Sequence, residues 1–460
     1  MAVTEVNPPR RFPIRLPSRV HAWLDSEHGA AQRFAGTAFL IRVASAAVVF
    51  VSQILLARWM GGFEYGTYVY VYTWLLLVGD VAHLGMAQTA QRFIPEYAQH
   101  GALDSLRGYL IGSRWITFAL TTAVAAAGAA AVHAFEPLLD RNVVLPLYLA
   151  CAVVPFYASS FMLDSIARSY NWIALGLMPH SLLRPMVLLA LIAAMYFTGV
   201  KIDAVTAMIA LVIAVWSTTL AQLVVLNRRL AATVQPGPRR FHVRAWLATA
   251  LPLIAVWGCY TLLTTTDILV LQKFRPADEV AHYYAASKTL TLVTFVYFAV
   301  AASAAHRFAA YHVAGDRVKL AALVAGSIRW IFWPSLAATL AILACGQPLL
   351  SLFGPGFADA YPVMFVLAIG LMARAAVGPA ERLVTMAGQQ RICALAYAVA
   401  FAVNLAGCVA LAGPYGGTGV AAATSAAFVV ESILLYSIAR RRLDLHLFVW
   451  PRRKSLIPNV

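Results

Sequence analysis

Apolar stretches of roughly 20 residues recur along the whole chain, and each is long enough as a helix to cross about 30 Å of hydrocarbon. Only 12% of the 460 residues are charged, whereas soluble domains carry about a quarter charged residues. The pattern predicts an all-α polytopic membrane protein of about 12 transmembrane helices. The predicted spans are 33–57, 66–90, 108–132, 143–163, 173–198, 204–226, 246–271, 281–305, 320–344, 361–380, 391–412 and 417–438.

Basic residues are concentrated in the first 32 residues, in the even-numbered connections and in the tail 439–460. The odd-numbered connections hold only five, which are Arg58, Arg141, Lys201, Lys273 and Arg275. This is the positive-inside pattern, and it predicts that both termini are cytoplasmic. The net charge of +16 therefore reports membrane topology, and nucleic acid is not an expected partner. The first 32 residues lack the apolar core and cleavage site of a signal peptide, so we expect a basic cytoplasmic segment there.

A sequence repeat divides the chain into two halves. The strings "GSRWITF" from Gly112 and "GSIRWIFW" from Gly326 place Arg114 and Trp115 opposite Arg329 and Trp330, 215 positions later. The same offset pairs further residues without a gap, namely Arg58 with Lys273, Glu64 with Glu279, Tyr68 with Tyr283, and Arg92 with Arg307.

Six spans per half is an even number, so the halves enter the membrane in the same orientation and form a parallel repeat. We expect two six-helix bundles, 33–226 and 246–438, that enclose a central cavity. A hinge-like cytoplasmic linker, 227–245, would join them, since it contains the turn-forming string "VQPGPRR".

Ionisable residues inside the spans mark the candidate site, because each costs roughly 2.5 to 3.5 kcal/mol on insertion scales. The cations Arg42, Arg184, Lys288 and Arg374 can hold a phosphate or another anion in the cavity. None of the four has a charged counterpart at the 215 offset. Arg184 is the strongest single candidate, because it lies nearest the middle of a span.

Three further groups are candidates for binding a coupling H⁺ or Na⁺: Asp80 with His83, one turn apart on span two, or Asp267 on span seven. The alternative interpretation is that these charged residues pair with one another and hold helices together.

The chain carries no Gly-rich phosphate loop before a helix, no metal-ligand spacing and no nucleophile motif. We therefore expect neither an enzyme nor a bound cofactor or metal. Uphill transport would draw on an ion gradient or on the downhill flow of the cargo.

Four stretches resemble a known family. They are "LLARWMGGFEYGTYVY" from Leu55, "GMAQTAQRFIPEYAQHGALDSLRG" from Gly85, "LFGPGFADAYPVMFVLAIG" from Leu352 and "GPYGGTGVAAATSAAF" from Gly413. They are similar to the pattern of the polysaccharide transporters, or Wzx-type lipid-linked oligosaccharide flippases, of the MOP superfamily. That superfamily also includes the MATE drug exporters and the lipid II flippases, which carry two further spans. The resemblance covers about residues 33–440.

The resemblance implies a MATE-like fold in the bacterial inner membrane. It implies transport of an undecaprenyl-diphosphate-linked oligosaccharide from the cytoplasmic to the periplasmic leaflet, for lipopolysaccharide, capsule or exopolysaccharide assembly. The implied partners are this lipid-linked oligosaccharide, the membrane lipids, and the polymerase and glycosyltransferases of the same pathway.

Two other functions remain open at this stage. An ion-coupled multidrug exporter of the MATE type would favour acidic residues in its cavity, whereas the mid-membrane charges here are mostly basic. A membrane-embedded glycosyltransferase or polymerase would need a sizeable extracytoplasmic loop, and the odd-numbered connections are short.

Overall fold

A computed structural model describes residues 27–294, 317–386, 388–443 and 447–449, and the regular structure in these ranges is entirely helical. The helices are α1 (Glu27–Met60), α2 (Gly62–Ala82), α3 (Met86–Gln99), α4 (Leu103–Phe135), α5 (Arg141–Ser169), α6 (Ile173–Met178), α7 (Arg184–Phe197), α8 (Ala204–Thr233), α9 (Val243–Phe274), α10 (Ala277–Thr291), α11 (Arg317–Ala344), α12 (Gly346–Ser351), α13 (Tyr361–Val377), α14 (Ala380–Met386) and α15 (Gln390–Leu443). A π-helical turn, Pro179–Leu183, joins α6 to α7, and 3₁₀ turns occupy Glu136–Leu138 and Phe357–Ala360.

The described ranges contain ten helical segments that are long and apolar enough to cross a membrane. One of them, α15, has 54 residues and is interrupted at Gly416, where φ is 56° and ψ is −138°. It therefore has the length for two crossings, as the predicted spans 391–412 and 417–438 require. Predicted span 281–305 begins in α10 and continues outside the described residues. The prediction of an all-α polytopic membrane protein is confirmed.

The connection between α1 and α2 lies on one side of the bundles, together with those between α4 and α5, α7 and α8, and α9 and α10. We call this the odd-loop side and the opposite one the even-loop side.

At the odd-loop side, α2 packs against α10. Gly66 lies so close to the backbone carbonyl of Ala277 that a Cβ would overlap it, and the rings of Tyr65 and Tyr284 are 6.2 Å apart. The two halves therefore share a packed core at this side.

Predicted span 66–90 falls within the apolar helical segment Gly62–Gln99, and a turn divides that segment into α2 and α3. The helix α2 ends at Ala82, and the chain turns through Leu84 and Gly85, whose φ values are 47° and 75°. The left-handed turn is fixed by tertiary packing, because a side chain at Gly85 would meet the backbone of Ala250 on α9. An apolar sequence pattern does not report such a contact.

The segment between the halves is shorter than predicted and is not a free hinge. Helix α8 continues to Thr233 and α9 starts at Val243, which leaves 234–242 without a helix. Arg107 on α4 donates from Nε to the carbonyl of Gln235 over 2.7 Å. The amide of Arg240 donates to the carbonyl of Asp104 over 2.9 Å. The linker is thus bound to the surface of the first half.

The repeated residues hold equivalent positions in the two halves. Glu64 accepts a hydrogen bond of 3.0 Å from the amide of Ala204, the first residue of α8. Its counterpart Glu279 accepts one of 2.7 Å from the amide of Gly417, which begins the last helical segment. In each half, the equivalent glutamate therefore caps the start of a long helical segment, α8 in the first half and the segment from Gly417 in the second.

Candidate functional site

Two prolines shape the chain around Arg184. Pro179 opens the π-helical turn and Pro185 follows Arg184. Since Pro185 has no N–H, it leaves the carbonyl of Ser181 without its helical donor, and the hydroxyl of Ser45 on α1 donates to that carbonyl instead. Prolines and π turns distort helices at such positions, and this distortion fixes Arg184 at the start of α7.

Arg184 is buried, with 8% of its surface exposed. One terminal nitrogen donates to the Ser160 hydroxyl over 2.8 Å, and the guanidinium lies 5.1 Å from the centre of the Tyr157 ring. Its Nε is buried and has no hydrogen-bond partner among the described residues. An arginine with a spare, buried donor is costly unless a ligand completes it.

Asp80 is connected to Arg184 through Tyr157. The Tyr157 hydroxyl is within hydrogen-bonding reach of the Asp80 carboxylate, and the ring packs on Gly79, where a Cβ would collide with it. Asp80 therefore lies beside the ring on which Arg184 stacks. Asp80 and Arg184 contact different parts of the same tyrosine.

Lys288 extends toward the same place from the second half. Its Nζ lies 4.9 Å from the centre of the Tyr284 ring. Tyr72 on α2 lies within electrostatic range of both Arg184 and Lys288. Within the described ranges, no carboxylate comes within 4.0 Å of either cation. We call Arg184 and Lys288 the central cation pair, because one comes from each half.

The remaining two predicted cations occupy different surroundings. Arg42 lies near His180, which also neighbours Arg184. Arg42 is close to Arg168, Arg382 and Asp164 as well, and Asp164 pairs with Arg168 at 2.7 Å, so both signs of charge lie around Arg42.

Arg374 is paired with Glu431 at 3.3 Å and stacks on the ring of Phe428 at 4.6 Å. The pair borders a cavity of about 380 Å³ within the second half. The aromatic residues Tyr260 and Tyr397 and the carboxylate of Glu381 also line it. The sequence placed all of these residues except Glu381 in predicted spans, but it did not identify Glu431 as the partner of Arg374.

The spacing predicted that His83 and Asp80 share a helical face. They do not, because α2 ends at Ala82. Its Nδ1 accepts a hydrogen bond of 3.1 Å from the amide of Gly85, and the ring is buried near Phe161. His83 thus braces the turn between α2 and α3.

Asp267 lies in a buried pocket of neutral polar groups. Its Oδ2 accepts a hydrogen bond of 2.7 Å from the Tyr283 hydroxyl. Nearby, the side-chain oxygen of Asn404 accepts from Thr424 over 3.3 Å and from Cys408 over 3.2 Å. Within the described ranges, no basic side chain comes within 4.0 Å of the carboxylate.

The pocket around Asp267 has the chemistry of a site for a proton or a monovalent cation. A single carboxylate with oxygen-bearing neighbours can take up one positive charge. In the part of the chain that the structure describes, no group of three His, Cys, Asp or Glu residues could hold a metal ion. Sequence reasoning missed Asn404 and Thr424, because neutral polar residues in a span are common; the only signal was an asparagine in an otherwise apolar helix.

Comparison with solved structures defines the class of fold. The chain is similar to the lipid II flippase MurJ in an inward closed conformation, with a TM-score of 0.68, 15% identity, and 87% of each chain covered. It is similar to an inward-facing multidrug resistance MATE family transporter of the MOP superfamily, with a TM-score of 0.68, 13% identity, and coverage of 88% of this chain and 94% of that one.

A third similar structure is a MOP superfamily transporter from Pyrococcus furiosus, described for the reverse polarity of its binding pocket. Its TM-score is 0.66 at 12% identity, over 90% of this chain and 95% of that one. Neither a family model nor a curated protein matches the sequence. The chain thus has a fold like that of MATE transporters and MurJ, as the family resemblance of its sequence implied, and any more particular assignment depends on the site.

Proposed function

We propose that this protein is a transporter that moves an undecaprenyl-diphosphate-linked oligosaccharide from the cytoplasmic to the periplasmic leaflet. The observation that carries the proposal is the central cation pair. Arg184 keeps an unused buried donor, and Lys288 has only an aromatic ring against its ammonium among its described contacts. A buried cation and a half-buried one, with no carboxylate within 4.0 Å among the described residues, stabilise an anion that enters between them. A diphosphate supplies that anion.

Binding at this position would join the two halves. Arg184 belongs to the first half and Lys288 to the second, so a diphosphate held by both changes the free energy of their relative movement. This is the differential interaction that alternating access requires.

The direction of transport follows from the charge pattern. If the positive-inside rule holds, the even-loop side is cytoplasmic and both termini lie there. The α2–α10 contact then closes the periplasmic side, while Arg42 lies on the cytoplasmic side of the central cation pair. An anionic headgroup would enter from the cytoplasmic leaflet, and its lipid tail would stay in the bilayer.

The cavity beside Arg374 is the proposed place for part of the saccharide. Tyr260 lies near both Lys288 and Arg374, so the cavity adjoins the central cation pair. Aromatic rings and planar charged groups suit sugar faces and hydroxyls. The translocated saccharide would then be available to the polymerase and glycosyltransferases of the pathway.

Asp267 is the proposed coupling site. A buried carboxylate without a basic partner is stable when it carries a proton or binds Na⁺. Lys288 lies within electrostatic range of the Asp267 carboxylate. Binding of a proton or Na⁺ at Asp267 would therefore alter the electrostatics of the central cation pair. Asp80, in contrast, is proposed to position Arg184 through the Tyr157 ring.

The test is mass spectrometry of polyprenyl-diphosphate-linked saccharides in the native host after deletion of the gene. We expect a complete saccharide unit to accumulate. Wild-type protein and the control variant Arg141→Gln, which alters an exposed cation in an odd-numbered connection, should clear it. Arg184→Gln and Lys288→Gln should not, at equal abundance in the membrane.

If no lipid-linked saccharide accumulates and no surface polysaccharide is lost, the proposed cargo is wrong. Altered resistance to small cationic drugs in the same strains would then favour the multidrug exporter.

A further inference from the structure

A groove on the lipid-facing side of the first half is separate from the central cation pair. It lies between α4, α5 and α8 and has a volume of about 530 Å³. Its walls include Phe118, Phe156 and Leu220, and Trp115 at its edge is 68% exposed. Exposed apolar side chains on membrane-spanning helices face the acyl chains of the bilayer.

Two arginines occupy the even-loop end of this groove. Arg114 donates from Nε to the carbonyl of Leu110 and from one terminal nitrogen to Asn227, both over 2.5 Å. Arg239 comes from the linker, which the bond between Arg240 and Asp104 holds on α4. Among the described residues that line the groove, none is a carboxylate. Two guanidinium groups thus share one cleft without a negative partner.

The groove has room for the upper part of one lipid chain below a headgroup. On α8 the lining runs from Asn227 to Thr219, and eight residues of helix span about 12 Å. The arginines lie at one end, and the aromatic and aliphatic walls continue from them along the helices. A free phosphate would fill the charged end only, and a zwitterionic lipid would bring its own cation to the two arginines.

We propose that this groove binds an anionic phospholipid whose phosphate lies between Arg114 and Arg239. The headgroup joins α4 to the linker, and one acyl chain lies against Phe118, Phe156 and Leu220. The lipid therefore strengthens the attachment of the linker to the first half. On the positive-inside orientation, the groove opens to the leaflet whose surface carries the greater negative charge. This proposal does not depend on the identity of the transported cargo.

The test is native mass spectrometry of the full-length protein, titrated with phosphatidylglycerol or with phosphatidylcholine of the same acyl chains. We expect tighter binding of phosphatidylglycerol, and a loss of about 5-fold in affinity per arginine removed. Arg114→Gln/Arg239→Gln should therefore lose about 25-fold. Arg329→Gln is the matched control, because Arg329 also bonds the carbonyl one turn earlier and precedes an exposed tryptophan, but lies outside this groove.

Leu220→Trp tests the apolar length separately, since it fills the groove and leaves both arginines in place. It should weaken phosphatidylglycerol binding even if the double variant fails to fold. Equal affinity for the two lipids, or unchanged binding by Leu220→Trp, would overturn the proposal. Full competition by inorganic phosphate would do so as well, because it would reduce the groove to a site for a free anion.

Discussion

Removal of Glu279 should loosen the start of the last crossing. Its carboxylate accepts the hydrogen bond from Gly417, and Arg275 lies 3.7 Å from the same carboxylate. Gly416 has a non-helical φ, so no side chain at that position caps the segment. In Glu279→Ala, the amide of Gly417 loses its partner while the break at Gly416 remains.

The magnitude follows from the cap and from its exposure. Loss of an N-cap costs about 0.5–2 kcal/mol, and a hydrogen bond to a charged group contributes about 1.5–3 kcal/mol. Because the Glu279 side chain is 34% exposed, water screens part of this interaction. We expect a local loss of about 1–2 kcal/mol, which increases the opening equilibrium about 5- to 30-fold.

The equivalent change in the first half should have a smaller effect. Glu64 caps Ala204, but α8 also has a capping box in which Asp203 accepts from the amide of Thr206 over 2.9 Å. That box survives in Glu64→Ala. We therefore expect about a 2-fold increase at the start of α8, at the low end of the cost of a lost cap.

Hydrogen exchange of the full-length protein in nanodiscs measures both changes, with peptides that cover 413–420 and 200–208. Glu279→Ala should speed exchange at 413–420 alone, by the factor given above. Unchanged exchange there, or equal acceleration in the two variants at their respective sites, would show that the glutamate does not carry the cap.

Three further changes test the site and the packing around it. Asp267→Asn keeps an acceptor for Tyr283 but removes the charge, so transport should persist with its dependence on pH or Na⁺ lost; an intact dependence would move the coupling role to Asp80. Gly66→Ala should force α2 and α10 apart, and spin-label distances across the odd-loop side should lengthen; unchanged distances would place the closing contact elsewhere. Arg374→Gln should lower stability by about 3 kcal/mol, because Glu431 is left buried and unpaired; the double variant with Glu431→Gln should recover most of the melting temperature, and failure to recover it would mean that the pair is not the cause.

The fold could be predicted because its signals are local. Each span carries its own apolar length, and the repeat of Glu64 and Arg114 at Glu279 and Arg329 relates the two halves. The exception was the end of α2. The turn at Leu84 and Gly85 depends on contact with Ala250, which lies more than 160 residues later, and hydropathy contains no information about that contact.

The site could be predicted only in part, for a related reason. A charged residue in an apolar span is expensive and therefore conspicuous, which is why Arg184, Lys288 and Asp267 could be found. Whether such a residue meets a partner depends on helix packing. Arg374 meets Glu431, 57 positions later along the chain, while the central cation pair meets no carboxylate in the described ranges.

Repeated and unrepeated residues have different roles, and this difference explains how one fold can acquire a particular cargo. Glu64 and Glu279 cap helices at equivalent positions, and Trp115 and Trp330 are 68% and 71% exposed. The repeated residues therefore support the fold of each half. The central cation pair departs from the repeat, since the residues that correspond to Arg184 and Lys288 at the 215 offset are Val399 and Thr73. A diphosphate held between them would contact two different surfaces, and movement of one half relative to the other must then change its binding. Exchange of those two positions alone, as Arg184→Val with Lys288→Thr, should abolish anion binding while the melting temperature stays the same or rises, because one buried and one half-buried charge are removed. A large loss of stability in that variant would show that the cations stabilise the fold instead.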